Sequence, residues 1–227
     1  MIILTGASGG IGRAILPALA ALDTVAAIYH THPPDIQGVH SITPYQLDMT
    51  SDSEVRAFVA AMKDRPEQIT LIHAAALSRD GLAAQLSVED WDQVMEVNLR
   101  GNFLLSRELI KPMIEQKWGR IIHLSSVAGE QGVPGTIAYS TAKTGLLGLS
   151  RVMANEYARF GITSNVLVLG YFNTGLIQTL SEKIRNKIVA SIPSAQLGDP
   201  KNIVNAVEFL MKSNYVNGST IHIDGGI

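Results

Sequence analysis

The order of segments predicts a single α/β domain of doubly wound type, a parallel sheet of about seven strands with helices on both faces. Short apolar runs such as Ile2-Ile3-Leu4, Val25-Ala26-Ala27-Ile28-Tyr29 and Ile69-Thr70-Leu71-Ile72 alternate with stretches of helical apolar spacing. The first run ends in a glycine-rich turn, Thr5-Gly6-Ala7-Ser8-Gly9-Gly10-Ile11-Gly12, that opens directly into a helical pattern. The chain has 227 residues, enough for one substantial core, and no linker marks a second domain. Domain 1–227 is therefore expected to be one unit, with a less regular segment at 170–197 as a substrate lid.

Composition narrows the function classes. Hydrophobic residues make up 46% and charged residues 17%, which suits a compact globular chain rather than a disordered one. A net charge of −2 offers no electrostatic footprint for nucleic acid or an anionic membrane. With no cysteine there is no disulfide, zinc-thiolate site or thiol nucleophile. The histidines are scattered, and His30-x-His32 reads as a solvated loop, so no metal site is expected. Met1-Ile2-Ile3-Leu4 lacks a basic lead and breaks at Thr5-Gly6, which reads as a strand rather than a signal segment. No apolar run approaches the roughly 18 to 20 residues that span a bilayer. The expectation is a cytoplasmic protein.

Each element has its own signal. The helix after the glycine turn places Ala14, Ile15, Leu19 and Leu22 on its apolar spacing, and Pro17 within it calls for a kink or an exposed position. Tyr45-Gln46-Leu47-Asp48-Met49 reads as a third short strand, and Ser51 or Asp52 caps a helix reaching about Met62. The fourth strand, from Ile69, runs into the small-residue turn Ala74-Ala75-Ala76. From Val88 to about Gln116 apolar residues recur at helical spacing, interrupted by Asn98. An asparagine there must find partners or cost roughly 1 to 3 kcal/mol. Arg120 to Ser126 is a fifth strand, Tyr139 lies on a helix reaching about Phe160, and Gly161 to Val168 is a sixth strand. Asp199 and Pro200 start a last helix, and Thr220 to Ile223 is the final strand, followed by Asp224-Gly225-Gly226.

Ligands bind at the carboxyl ends of such strands, so Gly6 to Gly12, Ala74 to Ala76, Ser126 and Gly170 to Thr174 should meet on one rim. The glycine turn fits a phosphate. Gly6 permits the turn, Gly10 lets backbone approach a pyrophosphate, Gly12 lets helix and strand pack, and the helix start supplies N–H groups. An acidic residue at the end of the second strand selects NAD in dinucleotide-binding folds, whereas here His30 and Thr31 stand there and no carboxylate comes before Asp35. That favours NADP, with Thr31 and the histidines as phosphate partners. Tyr139 and Lys143 share one helix face, and an ammonium beside a phenol favours the phenolate, tuning the tyrosine for proton exchange with a carbonyl or alcohol. An isolated Y-x-x-x-K is more often an ordinary amphipathic helix, so its weight comes from the rest of the chain.

Taken together, Thr5-Gly6-x-x-x-Gly10-Ile11-Gly12, Asp48, Asn98, Ser126, Tyr139-x-x-x-Lys143, Asn165 and Asp224-Gly225-Gly226 resemble the classical short-chain dehydrogenase/reductase family over nearly the whole chain. Within it, Arg79-Asp80-Gly81-Leu82, Val97-Asn98-Leu99-Arg100-Gly101, Trp118-Gly119-Arg120-Ile121-Ile122 and Ile192-Pro193 are most similar to 3-oxoacyl-acyl-carrier-protein reductases. The resemblance implies a Rossmann-type fold and a catalytic set of Asn98, Ser126, Tyr139 and Lys143. Tyr139 would be the general acid in reduction, Lys143 would lower its pKa and hold the nicotinamide ribose, and Ser126, rather than Ser125, would polarise the carbonyl. Asn98 would hold a water linking Lys143 to solvent. Implied cofactor contacts are Gly6, Ser8, Gly10, Ile11, Gly12, Thr31, Asp48, Met49, Ala74, Ala75, Tyr139, Lys143 and Thr174, with NADP(H) favoured and NAD(H) the alternative.

The resemblance also implies a homo-oligomer, tetramer or dimer, built on the two long helices. An acyl-thioester substrate is implied, with an acyl carrier protein as the candidate partner. Other readings are a reductase or dehydrogenase of a sugar, polyol or steroid, or a non-catalytic dinucleotide-binding regulator. Three departures stand out. The family's Asn-Asn-Ala-Gly turn is His73-Ala74-Ala75-Ala76, and its Pro-Gly after the sixth strand is Leu169-Gly170, which would loosen the lid. Of two basic positions expected near the site entrance, Lys117 fits one and Phe160 stands at the other, with Arg159 adjacent.

Overall fold

The computed structural model describes residues 1–62 and 67–227, apart from the side chain of Leu176. Seven strands form one sheet in the order β3-β2-β1-β4-β5-β6-β7, and every pairing is parallel. The strands are β1 (Ile2–Thr5), β2 (Val25–Tyr29), β3 (Ile42–Gln46), β4 (Thr70–His73), β5 (Gly119–Ser126), β6 (Ile162–Leu169) and β7 (Thr220–Ile223). Both faces of the sheet are covered, so β1 is apolar throughout rather than alternating. Ile2 and Leu4 pack with Ile15 and Leu19 of α1 (Gly10–Ala20) and Val207 and Leu210 of α9 (Lys201–Lys212). Ile3 packs on the other face with Val55 of α2 (Asp52–Ala61) and Leu105 and Leu109 of α4 (Gly101–Gln116).

The strand order reverses between β1 and β4, and the crevice at such a switch point is where open α/β sheets bind ligands. The glycine turn leaves β1 at this crevice, and Ala74-Ala75-Ala76 leaves β4 beside it.

Several expected boundaries move, each for a physical reason. The third strand lies at Ile42–Gln46, and Leu47 to Met49 follow it instead of belonging to it. Pro44 within it is tolerated because β3 is an edge strand, where a missing N–H costs no ladder bond. The long apolar stretch after Val88 is not one regular helix. It divides into α3 (Val88–Met95), a widened π-helical turn (Glu96–Arg100) and α4. On α1 the buried face is Gly12, Ile15, Leu16 and Leu19, while Ala14, Pro17 and Leu22 are exposed. Pro17 thus sits where its ring meets solvent. Ser51 is the cap of α2, its side chain accepting from Glu54 N.

The region expected to be irregular contains two short helices, α7 (Leu176–Thr179) and α8 (Glu182–Ser191), neither with a described buried residue. It is nevertheless tied down at both ends by the C-terminal turn. Gly170 N donates to Ile223 O, and Ser194 N donates to Gly225 O, both at 3.0 Å. Leu169-Gly170 therefore does not leave its starting end loose. No helix among the described residues is long and apolar enough to cross a membrane.

Candidate active site

The phosphate turn is built from backbone against backbone. Gly6 has φ 64°, and a Cβ there would lie 2.6 Å from Ala75 Cα. A Cβ on Gly12 would lie 2.1 Å from Gly6 O, so helix and strand meet at a distance that only glycine allows. Thr5 Oγ1 accepts from both Ala74 N and Ala75 N at 3.1 Å, which clamps the ends of β1 and β4 together. Of the three alanines that replace the family's asparagine–alanine–glycine, Ala74 and Ala75 are thus held by Thr5. No side chain caps α1 at Gly9, which leaves first-turn N–H groups available to an anion.

A cleft of about 940 Å³ opens from this turn. Gly6, Ser8, Gly10, Ile11, Thr31, Asp48, Met49, Ala74 and Ala75 all line it. These nine positions of the expected cofactor set therefore share one cavity. Asp48 Oδ1 accepts from Thr50 N at 2.9 Å and Thr50 Oγ1 at 2.8 Å, which fixes its carboxylate at the cleft wall. At the end of β2, Thr31 Oγ1 lies 3.2 Å from His30 Nδ1, and both side chains are exposed. The shape and the glycine cradle fit a dinucleotide. Gly10 has a role that sequence did not foresee, because a Cβ there would lie 2.9 Å from Gly175 Cα. Thr174 Oγ1 donates to Gly10 O at 2.7 Å, so the chain after β6 lies directly on the phosphate turn.

Beyond the cleft lies the proton-transfer cluster. Ser126 ends β5, and Tyr139 and Lys143 lie one turn apart on α6 (Ile137–Tyr157). Ser126 hydrogen-bonds the Tyr139 phenol. Ser125 is a different kind of serine, buried, with its hydroxyl donating to Lys143 O at 2.9 Å. That choice between neighbours, open in the residues themselves, follows from strand alternation. Lys143 Nζ lies 5.6 Å from the Tyr139 ring centre and donates to Leu124 O at 2.7 Å.

The electrostatics differ from the expectation that Lys143 lowers the tyrosine's pKa. Burial dominates and holds the phenol above its ordinary value; Asp80 adds to this and the Ser126 hydrogen bond opposes it. The ammonium here grips the backbone carbonyl of Leu124. Burial also pushes Lys143 itself down to about 8.

Asn98 is fully buried in the π-helical turn. Its Oδ1 accepts from Leu77 N at 2.8 Å and its Nδ2 donates to Leu77 O at 2.7 Å. Each end of the amide engages the chain leaving β4, which gives this buried polar residue partners within the protein. One turn later, Asn102 Nδ2 donates to Asn98 O at 2.7 Å. Asn98, Asn102 and Ser106 form a polar stripe at four-residue spacing, a signal present in the sequence that attention to Asn98 alone passes over. His73, in place of the family asparagine, lies 2.9 Å from Ser106 Oγ and stacks on His123.

The basic positions expected at the entrance are elsewhere. Lys117 precedes β5 and Phe160 precedes β6, whereas Ser126 ends β5. Within one chain they lie at the opposite edge of the sheet from Tyr139, because a parallel strand carries its start and end to opposite rims.

Residues 1–185 match the family model for short chain dehydrogenases. The chain belongs to the short-chain dehydrogenase family. It is 34% identical over 229 residues to the 3-oxoacyl-acyl-carrier-protein reductase FabG of Rickettsia felis, covering 99% of this chain and 95% of that one. The corresponding enzyme of Escherichia coli K12 is also 34% identical, over 236 residues, with 99% and 96% covered. Nodulation protein G of a Rhizobium species is 34% identical over 233 residues, with 99% and 95% covered. Among solved structures, one provisionally assigned as a gluconate dehydrogenase from Agrobacterium tumefaciens superposes with a TM-score of 0.91 at 29% identity, covering all of this chain and 94% of that one. As a short-chain dehydrogenase the chain is an NAD(P)-dependent oxidoreductase.

Proposed function

We propose that this short-chain dehydrogenase reduces 3-oxoacyl thioesters with NADPH. The observation that carries the reading is the joining of Ser126, Tyr139 and Lys143 at one rim in a chain similar end to end to 3-oxoacyl-acyl-carrier-protein reductases. When bound, the cofactor supplies hydride to the carbonyl carbon. Gly6, Ser8, Gly10, Ile11, Gly12 and Thr174 would hold its phosphates, Thr31 and His30 would serve its adenosine end, and Asp48 and Met49 would contact the adenine. Tyr139 gives its proton to the carbonyl oxygen, and its raised proton affinity keeps it in the protonated form that reduction requires. Ser126 polarises the same oxygen from its place beside the phenol. Lys143 holds the cofactor ribose, Asn98 acts by fixing Leu77 and the π-helical turn, and residues 170–197 close over the substrate.

The absence of a carboxylate at His30-Thr31 supports NADPH over NADH. Exposed Phe103 on α4 and Val152 on α6 support a homo-oligomer built on those helices. A cytoplasmic location and an acyl carrier protein as substrate carrier belong to the same proposal. The second reading, oxidation of a sugar acid, is favoured by the structural likeness to the Agrobacterium protein.

Purified protein given acetoacetyl-coenzyme A should oxidise NADPH faster than NADH, and gluconate with either oxidised cofactor should give no turnover. Turnover of gluconate without turnover of the thioester replaces the first reading by the second.

A further inference from the structure

His73 and His123 are register partners on β4 and β5, and neither has any solvent exposure. Their rings stack at 5.0 Å with 8° between planes. Only His73 Nε2 has a partner, Ser106 Oγ; His73 Nδ1 and both nitrogens of His123 have none. Asn102 Oδ1, one turn before Ser106 on the same face of α4, also has none. Each orphaned buried polar atom has lost its hydrogen bonds to water without replacement, so a core selected for stability alone would hold apolar side chains here. Orphans of this kind mark internal water or a nearby charge that the groups serve.

The charge is Lys143, which is 2% exposed. Its ammonium grips the carbonyl of Leu124, the residue after His123, and Ser125, on the same strand face as His123, donates to its backbone. Helix α6 therefore lays Lys143 across the stretch of β5 that carries the imidazole. Burial, reinforced by the positive charge of Lys143, holds both imidazoles neutral, so each ring keeps a lone pair to offer.

We propose that the stacked His73–His123 pair is a positioning element for Lys143, whose neutral ring nitrogens, bridged by internal water, supply the acceptors that keep the buried ammonium charged. Its importance for turnover rests on the catalytic role proposed for Lys143. Hydrogen bonds to a charged form favour that form, so the pair opposes the desolvation of Lys143. The titratable groups facing this centre are Tyr139 from α6, His73 from β4, His123 from β5 and, through Tyr139, Asp80 from the loop after β4. The π-helical turn presents Asn98 there and α4 presents Asn102 and Ser106, none of them titratable, and β6 places Val166 beside His123.

The test reads the Lys143 side-chain amine by NMR of lysine-labelled protein as pH is varied, its signal assigned by loss in Lys143→Met. His123→Phe keeps a ring of similar shape but removes both nitrogens, and His123→Asn restores a polar acceptor. The expected result is a roughly tenfold fall in the proton affinity of Lys143 in His123→Phe, one unit of pKa, with recovery in His123→Asn. An unchanged Lys143 titration in folded His123→Phe overturns the proposal. If that variant does not fold, the reciprocal measurement stands in its place. Removing the charge in Lys143→Met should shift the ring ¹⁵N resonances of both histidines at neutral pH, and unmoved resonances overturn the proposal equally. Neither readout involves a substrate, so failure of the 3-oxoacyl reading would show in turnover and leave this test untouched.

Discussion

The site has two halves made on different principles. The phosphate turn at the end of β1 is backbone packed on backbone, with Gly6 against Ala75 and Gly12 against Gly6 O. The wall around Lys143 is held by side-chain hydrogen bonds, Asn98 to the backbone of Leu77, Ser106 to the His73 ring and Lys143 to Leu124 O. The first half has no adjustable parts, since nothing at 2.1 Å from a carbonyl oxygen can rotate away. The second has many, and each hydrogen bond can be lost or replaced singly. A steric site should therefore fail abruptly under substitution, and a polar wall by degrees.

Tyr139→Phe gives the largest expected effect and separates chemistry from architecture. Loss of the proton donor should lower kcat by about 10² to 10⁴. Cofactor binding, followed by quenching of protein fluorescence, should stay within about twofold, because the turn that holds the phosphates is untouched. A parallel loss of binding would mean the two halves are not independent.

Gly12→Ala probes the abrupt half. Its Cβ meets Gly6 O with no flexible atom to yield, so a destabilisation of about 3 kcal/mol or more is expected, with cofactor binding lost at the same time. A urea midpoint near that of the wild type would show that the turn has more give than its geometry allows.

Asn98→Ala probes the graded half. It strands the N–H and C=O of Leu77 and should cost about 1 to 3 kcal/mol, measured by denaturant unfolding, with the chain remaining folded. Asn98→Asp should recover part of this, since a carboxylate can still accept from Leu77 N.

The smallest effect per step is pH-dependent. His73 and His123 have proton affinities below the ordinary value of 6.5, His123 at about 3. Between these limits the unfolded chain binds more protons than the folded one, so stability is full above about pH 6.5 and falls as pH drops toward 3. Urea midpoints across this range should decline in the wild type and decline less in His123→Asn. Equal slopes would remove the histidines from the acid response.

How far each half could be read from residues follows the same division. The turn was legible because Thr5-Gly6-x-x-x-Gly10-Ile11-Gly12 is contiguous, and strand, turn and helix form from neighbours in sequence. The pairing of Tyr139 with Lys143 and the offset of Ser126 were legible for the same reason, through helix and strand periodicity. The wall was not. His73 and His123 are fifty positions apart, and only the register of β4 on β5 stacks them. Asn98 looked like a residue awaiting a ligand because its partner, Leu77, is a backbone segment with no identifying side chain. Lys117 adjoins the start of β5, so within one chain it falls on the rim opposite Ser126.

By itself, then, the sequence determined the doubly wound α/β fold and the family, because these rest on local period and on glycines at fixed spacing. Tertiary structure alone decided that Thr174 lies on Gly10, that Asn98 clamps Leu77, that burial holds the phenol of Tyr139 above its ordinary proton affinity, and that His73 and His123 stack in the core. Those are contacts between distant segments in a low-dielectric interior, where the strength of a charge or hydrogen bond depends on what excludes water from it, and no local pattern records that.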